Sequence, residues 1–307
     1  MSLIHILILG VVQGLAELLP VSSSAHVVVV EKLLGLDPSS PPMTLLLVML
    51  HTGTMFAVIV YFWRSWRDSY FRSTAAFKSF LAIVVLATVL TGVIGEAVYI
   101  GIEHTLLAGV PHAAIEDLFG HLEYIAPALA VGGVLILLAG LAERRNGRAE
   151  PAGHDAAVGA ARDASADGAR EATGLSAGQA GIIGAVQGLS LPFRGFSRSG
   201  ATISTGMLLG VAKIRVEIFS FALAVVLTPA VVAREALRLW HTAPADHQAL
   251  AGIAVRTLFG ALVAFVAGLA ALRWLSRWLE GGRWYLFGLY CLLAAAVVGA
   301  LHFRFGF

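Results

Sequence analysis

One cysteine, Cys291, is all that the 307 residues contain. That excludes an intramolecular disulfide and any metal site built on cysteine pairs. Charge is scarce as well: 13% of the chain is charged against 58% hydrophobic, a balance that an ordinary soluble domain does not have. The net charge is only +2, so nothing in the bulk electrostatics points to nucleic acid. Lys and Arg are missing altogether before Lys32. The small residues Ser23-Ser24-Ala25 after an apolar run look like a signal-peptide cleavage site. With no basic residue ahead and Glu17 breaking the apolar region, we instead expect this segment to stay in the working protein.

What is present is long apolar runs. Met43–Trp63, Ser79–Tyr99, Ile125–Leu141, Val216–Ala233, Gly252–Leu272 and Trp284–Leu301 each approach the roughly 20 residues that cross a bilayer. A six-span path collects Arg64, Arg67, Arg72, Lys78, Arg144, Arg145, Arg148, Arg162, Arg170, Lys213, Arg215, Arg273, Arg277 and Arg283 on one side. Lys32, Arg234, Arg238 and Arg304 remain on the other. The basic side is expected to be cytoplasmic, with both termini outside. Glu103, Glu116, Asp117 and Glu123 then fall in an outer connection that lacks Lys and Arg. Trp63, Trp66, Trp274, Trp278 and Trp284 stand near span ends, as an interfacial belt does.

Two segments remain outside the path, and they resemble each other. Gly10, Val12, Gln13, Gly14, Leu15 and Ser23 fall without gaps, at an offset of 174, on Gly184, Val186, Gln187, Gly188, Leu189 and Ser197. Each segment is apolar with a polar Gly/Pro/Ser break, and each must begin and end on the same side. We expect two re-entrant helix–loop–helix units, since irregular backbone at membrane depth survives only where protein or water lines it. Three spans follow each unit, so the halves have opposite orientations. The expected fold is an all-α polytopic membrane protein built as an inverted-topology repeat. Residues 1–142 form the first repeat and residues 179–307 the second. Residues 143–178, rich in Ala, Gly and charge, form a flexible cytoplasmic linker between them. Were both segments ordinary spanning helices, the chain would cross eight times. The inverted repeat places a site at the midplane, where half-helix N-termini converge.

The first motif places Gln13 and Glu17 four residues apart, on one helical face. Pro20 leads into Ser22 and Ser23, a helix start with free N–H groups and hydroxyls, and His26 follows one turn later. A serine and a histidine within reach offer a nucleophile and base, or the imidazole attacks phosphorus itself. The second motif, Arg194-Gly195-Phe196-Ser197-Arg198-Ser199-Gly200-Ala201-Thr202, brings two guanidinium groups to a Gly-bounded loop. Guanidinium forks match phosphate oxygens bidentately. Ser197, Ser199 and Thr202 add hydroxyls, and Gly200 allows close approach of backbone. Taken alone, His26 would be an interfacial residue and Arg194 a snorkelling one. Glu17 at this depth and the repeat favour chemistry.

Glu17, Pro20-Val21-Ser22-Ser23, His26 and Gly195-Phe196-Ser197-Arg198-Ser199-Gly200-Ala201-Thr202 resemble the undecaprenyl-pyrophosphate phosphatases, the bacitracin-resistance family of bacterial inner-membrane enzymes. The resemblance extends over the whole chain in length, repeat and span order. It implies removal of the terminal phosphate of the C55 isoprenyl pyrophosphate at the outer face of the inner membrane, usually with Mg²⁺ or Ca²⁺. Two departures stand out. Gln13 occupies the place of the first family glutamate, leaving Glu17 as the lone carboxylate, and Arg194 replaces the proline before Gly195.

We therefore expect Arg198, helped by Arg194, Ser22 and the groups of Ser197, Ser199, Gly200 and Thr202, to hold the phosphates. Glu17 binds a metal or positions the attacking group. Ser23 or His26 is the nucleophile, or His26 activates water. The expected partners are the prenyl pyrophosphate and the bilayer, with homodimerisation left open. The competing reading is a transporter that flips a prenyl phosphate without hydrolysis. A phosphatidic-acid-type phosphatase fits less well, because its Lys-x6-Arg-Pro and Ser-Gly-His signatures do not occur.

Overall fold

The computed structural model describes residues 2–38, 40–105, 121–145, 174–242, 247–279 and 283–306. Glu116, Asp117, most of the linker with Arg148, Arg162 and Arg170, and the side chains of Arg238, Trp274, Arg277 and Trp278 lie outside them. Ten helices and no strand occur among the described residues: α1 (Leu3–Glu17), α2 (Ser23–Leu33), α3 (Pro41–Tyr70), α4 (Thr74–Thr105), α5 (Leu122–Arg145), α6 (Ala177–Ser190), α7 (Arg198–Leu208), α8 (Lys213–Thr242), α9 (His247–Leu279) and α10 (Trp284–Phe305). Six of them, α3, α4, α5, α8, α9 and α10, are long and apolar enough to span a bilayer, as the hydropathy predicted. Most run several residues past the apolar stretch, because the flanking turns keep their hydrogen bonds in polar surroundings.

The motif segments form shorter helices in pairs. At 15 and 11 residues, α1 and α2 reach about 22 and 16 Å, each short of a hydrocarbon layer of about 30 Å. Ser2 caps α1 by accepting from the His5 N–H, and Ser176 caps α6 from the Gln179 N–H. The two caps are again 174 residues apart. Glycines then allow close helix contact. Gly10 and Gly14 lie against Val263, Gly260 and Ala264 of α9, whereas Gly184 and Gly188 lie against Ala87 and Thr91 of α4. The first helix of one segment thus packs on the middle span of the other half, and the reverse also holds. Elsewhere α5 lies along α10, and α3 along both α8 and α9.

Both pairs break in the same way. Ser22 (φ 65°) and Ser197 (φ 57°) are the only non-glycine residues with positive φ among the described residues, and each precedes a helix N-terminus. This shifts one correspondence read from the sequence. By conformation Ser197 matches Ser22 rather than Ser23, so the second loop carries one more residue than the first. The left-handed region is costly for serine and persists only where the surroundings over-determine it.

Candidate active site

The two breaks meet inside the bundle. Gly200 leaves no room for a side chain: a Cβ there would sit 3.1 Å from the Pro20 carbonyl oxygen and 2.7 Å from Ile136 Cδ1. The Cys291 thiol of α10 donates to the same Pro20 oxygen at 3.6 Å. Gly132 of α5 packs on the Phe196 carbonyl, so α5 and α10 hold the loops together. Pro20 and Gly200, far apart in sequence, thereby touch.

Glu17, the last residue of α1, is the centre of the constellation. One carboxylate oxygen, Oε1, accepts from Arg198 Nη2 at 2.7 Å. The other, Oε2, accepts from Ser23 Oγ, and from Gln13 Nε2 at 2.9 Å. His51 Nε2 lies 3.3 Å from that same Oε2. Hydrogen bonds to an ionised group are the strong ones, so this carboxylate is held from four sides. The Glu17 side chain is 10% exposed, against 24% for Arg198 and 30% for His51, so both partners face outward from the covered acid. Arg198 Nη1 is buried and makes no hydrogen bond within the described protein. A buried guanidinium donor without a partner is a place for an anionic oxygen.

His51, Arg198, Ser197 and Arg194 line a cleft of about 400 Å³ between α3, α4 and α8. It extends towards the end of the bundle where α3 begins and α4 and α8 finish, past Glu96, Tyr99 and Arg234. Leu47, Val48, Ala224, Leu227 and Val231 give it an apolar wall. His51 stands about 15 Å along α3 from its start, close to half the hydrocarbon thickness.

Of the expected site residues, Glu17, Ser23 and Arg198 come together, with Arg194 and Ser197 beside them on the cleft. Others sit differently. His26 turns away from Glu17: Nδ1 bonds the Ser22 carbonyl at 2.8 Å, and Nε2 bonds the Tyr290 hydroxyl at 2.6 Å. The two rings stack at 9°. A carbonyl only accepts, so Nδ1 carries the hydrogen of that bond, and Nε2 is engaged by the Tyr290 hydroxyl. Thr202 is fully buried, bonding the Arg198 carbonyl and Ser220 Oγ, and so fastens α7 to α8. Ser197 Oγ caps the Gly200 N–H at 3.2 Å, Ser199 is buried, and Ser22 Oγ lies 3.4 Å from Ser24 Oγ.

His51 and Tyr290 were not anticipated. A polar cluster, His51-Thr52-Gly53-Thr54, inside an apolar span was the available signal for the first. Tyr290 gave none, since an aromatic residue in a span is ordinary.

The residues fit a divalent cation poorly. Mg²⁺ and Ca²⁺ need about six or more oxygen ligands, carboxylates foremost. Here the Glu17 carboxylate is surrounded by Arg198, Ser23, Gln13 and His51 rather than by further oxygen ligands. No group of three His, Cys, Asp or Glu residues that could hold a metal occurs among the described residues. The Gln13 Oε1 atom is buried without a partner, but one neutral amide oxygen is not a divalent site.

Residues 6–297 match the family described as bacitracin resistance protein BacA. The chain is 52% identical, over 302 residues and 97% of each chain, to undecaprenyl-diphosphatase 2 of Acinetobacter baylyi. It is 36% identical over 312 residues to the undecaprenyl-diphosphatase of Gluconacetobacter diazotrophicus, covering 97% of this chain and 96% of that one. With the enzyme of Desulfosudis oleivorans it shares 32% over 296 residues, covering 94% and 95%. Matches that run from the first motif through the second, over nearly the whole length, place this multi-pass chain in the BacA family.

Proposed function

We propose that the protein hydrolyses undecaprenyl pyrophosphate to undecaprenyl phosphate and inorganic phosphate, returning the lipid carrier to peptidoglycan synthesis and conferring bacitracin resistance. One observation carries this reading. Glu17 joins a serine hydroxyl to a guanidinium whose remaining buried donor has no protein acceptor. Nucleophile, base and phosphate clamp therefore share one carboxylate. A flippase needs the clamp but not the nucleophile, and its reading has no separate support.

The terminal phosphate binds Arg198, with Arg194 beside it, and the prenyl chain follows the apolar wall of the cleft. Ser23 Oγ attacks the terminal phosphorus and passes its proton to Glu17. The P–O bond to the bridging oxygen breaks, and Glu17 returns that proton to the departing prenyl monophosphate. Water then attacks the phosphoserine, losing a proton to Glu17, and the P–Oγ bond breaks with Ser23 taking the proton back. Phosphoryl transfer of this kind depends on positioning and charge stabilisation, which the arrangement supplies. His26 fixes the Ser22–Ser23 turn through the Ser22 carbonyl. Phosphate release from purified protein given defined prenyl pyrophosphates tests the reaction. A folded wild type that releases none would overturn it.

The architecture we infer is an inverted repeat with two re-entrant units in the bacterial inner membrane. The equal offset of the caps, the matching positive φ at Ser22 and Ser197, and the exchanged packing of α1 and α6 support it. The cleft then opens to the periplasm, since α3 starts on the outer side. Cysteine labelling at positions 2 and 166, in protein whose native Cys291 is buried, should react from outside and inside respectively. Periplasmic labelling at 166 would refute the topology.

Gln13 makes a metal test informative. Activity should resist mild chelation, and Gln13→Glu should create a response to added Mg²⁺ or Ca²⁺, seen as an activity titration that the parent lacks. An identical titration in both proteins would remove position 13 from any part in metal binding.

A further inference from the structure

We infer that a small cavity behind the Glu17–Arg198 pair binds the water that hydrolyses the phosphoserine, held there by Thr54 and Thr228. The inference rests on the proposed reaction and deepens it, because it says where the second substrate waits. The cavity measures about 30 Å³, and its polar wall is Glu17, His51, Thr54, Arg198 and Thr228. A water needs about 10–15 Å³ and two to four polar partners, so one or two fit. Cavities of this size that stay dry are apolar throughout. This one is apolar only on its far side, where Val58 and Phe221 close it.

Its position matters as much as its size. The cleft is lined along α3 as far as His51 and along α8 from Ala224 onward, whereas the cavity takes α3 from His51 to Val58 and α8 from Phe221 to Thr228. It therefore continues the cleft inward, and His51, Arg198, Ala224 and Thr228 border both spaces. Glu17 lines the cavity and not the cleft. The carboxylate that must take the proton of the attacking water thus meets this space, while Ser23 reaches it from α2. A prenyl chain filling the cleft shuts out bulk water from that side, and the water already behind Arg198 remains.

The hydroxyls are set for the task. Thr54 Oγ1 donates to the His51 carbonyl at 2.9 Å, and Thr228 Oγ1 donates to the Ala224 carbonyl at 2.7 Å. Each has spent its one proton on its own helix, so each offers lone pairs to the O–H groups of a water. Glu17 accepts as well, and the Arg198 guanidinium supplies donors for the water oxygen. Thr54 and Thr228 stand 174 positions apart, the offset that relates the two motif segments, so corresponding hydroxyls of α3 and α8 hold one water. In the second step the water oxygen bonds to phosphorus and the P–Oγ bond breaks. The water proton passes to Glu17 and from there to Ser23 Oγ. Thr54 and Thr228 are positioning residues for this step alone.

That restriction is what the experiment reads. Wild type, Thr54→Val and Thr228→Val are loaded with prenyl pyrophosphate labelled in the terminal phosphate, chased with unlabelled substrate and quenched in acid. Decay of the phosphoserine should slow about tenfold in each variant, the effect of losing one hydrogen bond to the water. Its formation should keep the wild-type rate. Accordingly kcat falls while kcat/KM, which covers the steps through departure of the prenyl monophosphate, holds. Thr54→Ser and Thr228→Ser should restore the decay, and detergent chromatography checks folding throughout. Unchanged decay in the valine variants would overturn the inference, as would formation slowed as much as decay. A density map of the purified protein fine enough to show waters should hold one or two between Thr54 and Thr228, and a dry cavity would overturn it. A wild type that forms no phosphoserine would instead overturn the proposed reaction, with the map still deciding the water site.

Discussion

Arg198→Lys should lose most phosphate release while keeping the charge. The guanidinium uses Nη2 on Glu17 and leaves Nη1 buried and unpartnered, so it serves two acceptors in fixed directions. A lysine ammonium is a point charge on a flexible stem and cannot hold the carboxylate and a phosphate oxygen in that plane. We expect kcat/KM to fall by about 10²–10³-fold, the range for losing one preorganised donor to developing charge. Arg194→Lys should be milder, since Arg198 both lines the cleft and holds Glu17 Oε1. Because Glu17 and Arg198 form a partly buried pair, thermal stability in detergent should be measured beside activity. Equal losses in the two variants would show that Arg198 contributes charge alone.

Ser23→Ala should produce the largest loss. In enzymes with a serine nucleophile its removal costs up to about 10⁶-fold in kcat. Substrate should still bind, because Arg198 and Arg194 are untouched. Acid quenching during turnover of substrate labelled in the terminal phosphate should trap an acid-stable phosphoserine, absent from Ser23→Ala. An acid-labile, alkali-stable phosphoprotein would move the covalent bond to a histidine. That result would restore His26 as the nucleophile, against its present engagement with Ser22 and Tyr290.

Much of this protein was legible along the chain. The six spans were, because roughly 20 apolar residues have few other uses and a helix satisfies its own backbone. Glu17, Ser23 and Arg198 were too, because ionisable and Gly/Ser-rich sequence stands out against an apolar background. The likeness of the two motif segments was visible in Gly10, Gly14, Gly184 and Gly188, which close packing requires. Its loops were less so: an extra residue in the second one left the gapless register matching Ser197 to Ser23 when the left-handed turn belongs to Ser22.

The sequence by itself determined the class of the molecule, the six helices apolar and long enough to span, and the residue types that can bind an anion, because each follows from local composition and spacing. Only the tertiary structure decided which of them act together. Side-chain direction is set by packing, so α10 could draw His26 towards Tyr290 while α3 brought His51 to Glu17 from 34 residues away. It also decided that the lone carboxylate is surrounded by donors rather than by other oxygens. That outcome depends on where α1, α2, α3 and α7 cross, which no spacing within one of them records.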